Sequence, residues 1–129
     1  MRGEIAILKK LQHQNIVKLY EVLDDPDNDY LYMVFELCEG GCIIDISMDT
    51  VAKPLMINDA RNYFRQMILG IEYLHEQSIC HRDIKPDNMM ISKDGILKIV
   101  DFGVSEMFNK NDKSGKDAGS PGILKNVTI

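Results

Sequence analysis

His81-Arg82-Asp83-Ile84-Lys85-Pro86-Asp87-Asn88, with Asp101-Phe102-Gly103 starting thirteen residues after Asn88, is the stretch that decides how this chain is read. One Asp stands in a loop that follows a helical segment. An Asn comes five residues later, and a second Asp lies just past a hairpin. That spacing lets three oxygen-bearing side chains gather at one point. Carboxylate and amide oxygens suit a hard cation such as Mg²⁺ carrying nucleotide phosphates. One carboxylate is then left to orient a hydroxyl. Taken alone, His81 reads as a buried structural histidine and not as a base.

Outward from this stretch the pattern is mixed. Before it, Ala60, Tyr63, Phe64, Met67, Ile68, Ile71 and Leu74 recur at helical spacing, which predicts a helix from about Asp59 to Glu76 with one face on a core. Gly70 lowers helix propensity there and implies a close approach. Between the two motifs, the runs Asn88 to Ile91 and Ile96 to Val100 flank Ser92-Lys93-Asp94-Gly95, a hairpin with a tight turn. Further upstream, Ile16 to Leu23 and Tyr30 to Phe35 read as two strands joined by an acidic turn, Asp24 to Asp29. Glu4 to Leu11 has helical period with no N-cap. Glu39-Gly40-Gly41 marks the change from strands to a helical portion. Asn109 to Gly119 is polar and reads as a loop.

Composition narrows the function classes. The chain has 129 residues with 20 acidic against 15 basic side chains, a net charge of -5 that argues against a nucleic-acid binder. No apolar run reaches the ~20 residues of a membrane span. Met1 to Gln12 mixes charge with apolar residues, unlike a signal peptide. Cys38, Cys42 and Cys80 form an odd set without a CxxC pair, which predicts free thiols in a reducing, cytoplasmic setting.

The block HRDIKPDN followed by DFG resembles the eukaryotic protein kinases. The resemblance runs along nearly the whole chain and implies an α+β, protein-kinase-like fold. It is a partial one, from helix C at the end of the N-lobe to the activation loop of the C-lobe. Glu4 is similar to the helix C Glu that holds the phosphate-binding Lys, and Leu31 to Leu37 to the strand entering the hinge. Ala60 to His75 is similar to helix E. The resemblance implies ATP and Mg²⁺ as cofactors and roles residue by residue. Asp83 accepts or orients the proton of the substrate hydroxyl, Lys85 neutralises the transferring phosphoryl group as in Ser/Thr kinases, and Asn88 and Asp101 hold metal. Glu36 and Cys38 lie at the hinge where backbone groups bind adenine, Met90 forms the floor beneath it, and Phe35 is the gatekeeper. Leu8, Leu19, His81 and Phe102 are similar to four stacked side chains that link the lobes. Arg82 is similar to the Arg that often receives an activation-loop phosphate.

Leu19 to Asp27, Leu31 to Leu37 and Asp101 to Glu106 are similar to the calcium/calmodulin-dependent protein kinase kinases and their fungal relatives. That likeness implies a protein substrate, including other kinases, and calmodulin regulation through segments not seen here. It implies no nucleic-acid or membrane partner. The family's glycine-rich loop and its Lys are missing ahead of Glu4. After Ser120-Pro121 the expected aromatic and A-P-E triplet are replaced by Gly122 to Ile129. The expectation is therefore a partial kinase domain over 1–121 and a divergent tail over 122–129. The chain alone is expected to be inactive, with the apolar stripe of the 59–76 helix exposed. The alternative is a fragment that binds a partner without turnover.

Overall fold

The apolar spacing before the His81 block folds as α2 (Ile57–Glu76), within two residues of the predicted start. In the computed structural model, residues 2–28, 30–44 and 53–107 are described, the side chains of 2–4 excepted. The loop 109–119, the tail 122–129, Ser114, Ser120 and the Glu4 side chain lie outside that set. The helix closes as Gln77 N–H and Ser78 N–H donate to the carbonyls of Tyr73 and His75. Ser78 then turns the chain with a φ of 60°. Gly70, Ile71 and Leu74 are buried along the C-terminal half, while Ile57 and Phe64 stay exposed. The predicted stripe is thus covered over only part of its length.

What covers it is the hairpin of β5 (Met89–Ile91) and β6 (Leu97–Ile99). Its register is Met89↔Ile99, Met90↔Lys98, Ile91↔Leu97. Alternation puts Met89, Ile91, Leu97 and Ile99 on the core face and Met90 and Lys98 on the other. Ser92 closes the turn: its N–H donates to the Ile96 carbonyl and its Oγ accepts from Ile96 N–H. Gly95, at φ 77°, supplies the left-handed residue this turn needs. Gly70 faces the hairpin, where a Cβ would stand 2.8 Å from Ile99 Cδ1 and 3.1 Å from the Asn15 carbonyl oxygen. Leu74, Leu97 and Ile99 are almost fully enclosed, each contributing about 1.5–3 kcal/mol by burial.

The run from Ile16 to Leu23 is not one strand. Val17 N–H donates to the Ile99 carbonyl, and Ile99 N–H to that of Asn15, so residues 15–17 run parallel beside β6. Only at Leu19 does β1 (Leu19–Asp24) begin, pairing antiparallel with β2 (Leu31–Phe35) through a bulge near Tyr20. Asn15 anchors the crossing: its Nδ2 donates to Gln66 Oε1 at 3.1 Å and to the Leu97 carbonyl at 3.0 Å. Tyr73 Oη accepts from Gln12 N–H at 2.8 Å, and its ring stacks on His13. α1 (Arg2–Leu8) stops three residues short of the periodic run but still buries Ile7 and Leu8.

Two pairings escape the sequence reading. β3 (Gly41–Cys42) adds a third strand beside β5, where a change to helix was expected. β4 (Ile79–Cys80), just after α2, pairs with β7 (Glu106–Met107), just past Gly103. Helices and small antiparallel sheets around one core make the class α+β. Among the described residues no helix is long and apolar enough to cross a membrane, and the three cysteines are free.

Candidate active site

The 81–88 loop folds back on itself for local reasons. Pro86 has its φ preset for the first position of a single 3-10 turn, Pro86–Asn88, and Asn88 N–H donates to the Lys85 carbonyl. The turn returns Asn88 to Asp83. Asn88 Nδ2 donates to the Asp83 carbonyl at 2.8 Å and to Asp83 Oδ2 at 3.0 Å. Lys85 Nζ stands 3.1 Å from the same oxygen, with both charged side chains largely shielded. Asp83, Lys85 and Asn88 therefore form one cluster, with a carboxylate held between an amide and an ammonium.

His81 fixes the cluster from below. Its Nδ1 accepts from Asp83 N–H at 3.2 Å, so the ring proton sits on Nε2, which donates to the Val100 carbonyl at 2.9 Å. The ring meets Phe102 edge-on, with centroids 4.9 Å apart. Burial pushes the His81 pKa below its ordinary value, against the opposing effects of the Val100 bond and the Asp83 and Asp101 charges. The imidazole is neutral and fully engaged, which suits a structural post between the two motifs. Leu8 and Phe102 are buried with it, and Leu19 packs against the same core.

Asp101 reaches the site through β6. Val100 N–H donates to the Asn88 carbonyl at 3.0 Å, so the residue after Val100 emerges beside the loop. Asp101 has a φ of 60°, and its Oδ1 accepts from Gly103 N–H at 3.2 Å. It is exposed and lines a cleft of about 410 Å³, shared with Leu8, Phe35, Glu36, Cys38 and Met90. Residues from three separate segments, Glu36 with Cys38, Met90 and Asp101, thus face one cavity. Its walls are mostly apolar, as a flat aromatic ring requires. Burial, followed by the Glu36 charge, raises the Cys38 pKa and keeps the thiol neutral.

The Glu36 side chain has a task the sequence reading missed. Its Oε1 lies 2.9 Å from Lys98 Nζ and its Oε2 accepts from Lys18 N–H at 2.9 Å, while Glu36 N–H donates to the Lys18 carbonyl. It braces the segment after β2 against β6. The signal available was Lys98 itself, the one charged residue in the Ile96 to Val100 run. Also unforeseen is the 2.6 Å ion pair of Arg82 with Glu106.

The donors near Asp101 match a hard dication. Asn88 spends its amide nitrogen on Asp83, so only its amide oxygen could meet a cation. Among the described residues no group of three or more His, Cys, Asp or Glu could hold a metal unaided. A cation here would complete its shell with water or phosphate oxygens, as Mg²⁺ does.

Residues 1–124 match the protein kinase domain, and the chain belongs to that family. It is 55% identical over 126 residues to a calcium/calmodulin-dependent protein kinase kinase of Caenorhabditis elegans, covering 96% of this chain and 23% of the relative. A probable serine/threonine-protein kinase of Dictyostelium discoideum is 47% identical over 94% of this chain and 16% of its own length. A calcium/calmodulin-dependent protein kinase kinase of Emericella nidulans is 50% identical over 77% of the chain and 20% of its own. The chain thus spans less than a quarter of the length of each of these relatives.

Proposed function

We propose that the protein is a Ser/Thr kinase that transfers the γ-phosphoryl group of ATP to a hydroxyl of a protein substrate. The observation that carries this reading is the Asp83–Lys85–Asn88 cluster, joined by the Asn88 carbonyl to Val100 N–H and so to Asp101, which lines an apolar cleft. Asp83 orients the substrate hydroxyl and takes up its proton as the oxygen bonds to phosphorus and the bond to ADP breaks. Lys85, already drawn to this carboxylate, offsets negative charge on the phosphoryl group. Glu36 and Cys38 present backbone groups to adenine, Met90 lies beneath it, and Glu4 would hold a phosphate-binding Lys. Asn88 and Asp101 would hold Mg²⁺, which supplies charge neutralisation at the phosphates.

The substrate is read as another kinase, from the printed names of the C. elegans and E. nidulans relatives. Those names also support calmodulin as regulator, and the three free cysteines support a reducing, cytoplasmic setting. A second reading, a binding module without turnover, is favoured by the exposed Ile57 and Phe64 on α2.

Asp83→Asn in the full-length protein separates the two readings. Transfer of labelled phosphate to a kinase substrate should fall at least 100-fold, the lower range for losing an acid–base group. Nucleotide binding should persist, because no phosphate ligand is removed. Wild-type transfer in this variant removes Asp83 from the chemistry. No transfer by the unaltered protein favours the binding module.

A further inference from the structure

Arg82 and Asp101 flank the site with left-handed backbone, φ 66° and 60°, which non-glycine residues adopt only where the surroundings hold them. For Asp101 one side of that hold is plain: His81 and Asn88 bind the two backbone groups of Val100. The other side must come from the residues after Gly103. There the segment 104–107 is laced to 79–82 by β4–β7 pairing, with Cys80 opposite Glu106. Ser105 Oγ donates to the His81 carbonyl at 3.2 Å. The Arg82 guanidinium adds the long reach, Nε donating to the Val104 carbonyl at 2.8 Å and Nη1 to Glu106 Oε2 at 2.6 Å.

Resting on the kinase reading above, we propose that Glu106 is a positioning residue whose carboxylate occupies the Arg82 guanidinium and thereby sets Asp101 relative to Asp83, with no phosphate on Arg82. The chemistry is that of an anion on a guanidinium fork. A carboxylate supplies the acceptor oxygens and negative charge that a phosphate would otherwise bring. Here the anion belongs to the chain, three residues past Gly103, on a strand already paired with the one preceding Arg82. The segment after Asp101 is therefore held before any modification. Removing the carboxylate leaves the strand pairing and the Ser105 bond in place but frees the guanidinium. Val104 loses the aligned donor that fixes its carbonyl, and Asp101 loses its anchor on one side.

The test uses the full-length protein with Glu106→Gln and Glu106→Asp. Mg²⁺ is titrated against a fluorescent ATP analogue, and amide hydrogen exchange is followed at residues 104–107. E106Q should raise the half-saturating Mg²⁺ concentration by about 10-fold, the lower range for losing a group that orients a metal ligand. It should also speed exchange at 104–107. E106D should recover part of both losses, and phosphatase treatment should leave the wild-type curve unchanged. Equal Mg²⁺ dependence in E106Q and wild type overturns the positioning role. Unchanged exchange overturns the hold of the ion pair on the segment, and no recovery in E106D overturns the role of the carboxylate. A wild-type curve that shifts on phosphatase treatment overturns the phosphate-free hold. If the wild type shows no Mg²⁺-dependent nucleotide binding, the kinase reading fails, while the exchange arm still reports on the pair. Should E106Q fail to fold, Arg82→Lys, which keeps the charge and loses the fork, is measured in the same way. Wild-type behaviour there overturns the proposal.

Discussion

Two antiparallel hairpins in this chain have similar apolar content and different fates. In β5–β6 the core-facing residues are enclosed, with Leu97 and Ile99 at 0% exposure. In β1–β2 the side chains stay open: Tyr20 is 62% exposed and Tyr32 54%. The difference lies in what surrounds them. β5–β6 has α2 on its core face, β3 along one edge and residues 15–17 along the other. The strands of β1–β2 pair only with each other among the described residues. A two-stranded ribbon is marginal without further strands or a covering helix. The candidate catalytic groups are correspondingly tied to the enclosed hairpin, through Val100 and Asn88.

Breaking the enclosed hairpin should have the largest effect. Ile99→Ala removes a fully buried side chain at the contact of α2, β6 and the 15–17 crossing. It should cost about 2–5 kcal/mol by urea unfolding. A loss near the level of a surface change would mean that the hairpin is not the centre of the core. Gly70→Ala tests the same contact from the helix side. Alanine favours the helix by about 1 kcal/mol, but its Cβ meets Ile99 Cδ1 and the less yielding Asn15 carbonyl. Overpacking of about 1–3 kcal/mol should outweigh the propensity gain and lower the Tm. A raised Tm would show that the contact can open without penalty.

Acid should weaken the enclosed region through His81. Its folded pKa lies below its ordinary value of 6.5, so the unfolded chain binds the proton more readily. The stabilisation is fully present above pH 6.5 and is lost as pH falls toward the lowered folded value. Protonation would also remove the Nδ1 acceptor from Asp83 N–H. His13 shifts in the same direction, chiefly by burial, and contributes its own slope. Unfolding free energies between pH 7 and 5 should therefore depend less on pH in His81→Gln than in the wild type. Identical slopes would assign the whole dependence to other groups. The smallest effect is expected on the open hairpin. Tyr32→Ala, beside Tyr30 on β1–β2, should change stability by no more than about 0.5 kcal/mol. A larger loss would show that this face is covered in the protein.

Much of this was legible in the chain. The 3.6-residue spacing announced α2, the Ser92–Gly95 turn announced β5–β6, and Gly70 announced a close contact, because each signal is local. The Asp83–Asn88 spacing with Pro86 contained its own turn, so the cluster could be anticipated from a few residues. The strand change at Lys18 could not: Ile16 and Val17 are as apolar as Leu19, Val22 and Leu23, and only their partners differ. β3, β4 and β7 are two residues long, too short to carry a period.

The sequence by itself determined α2, the β5–β6 hairpin and the residue types that carry chemistry, because helical period, turn residues and the His81–Asn88 spacing act over a few positions. Tertiary structure alone decided which surfaces are enclosed and which charges meet. Glu36 finds Lys98 across 62 positions, and Arg82 finds Glu106 only because β4 pairs with β7. Those contacts join segments that no local pattern links, and their strength depends on burial and geometry that exist only once the chain has folded.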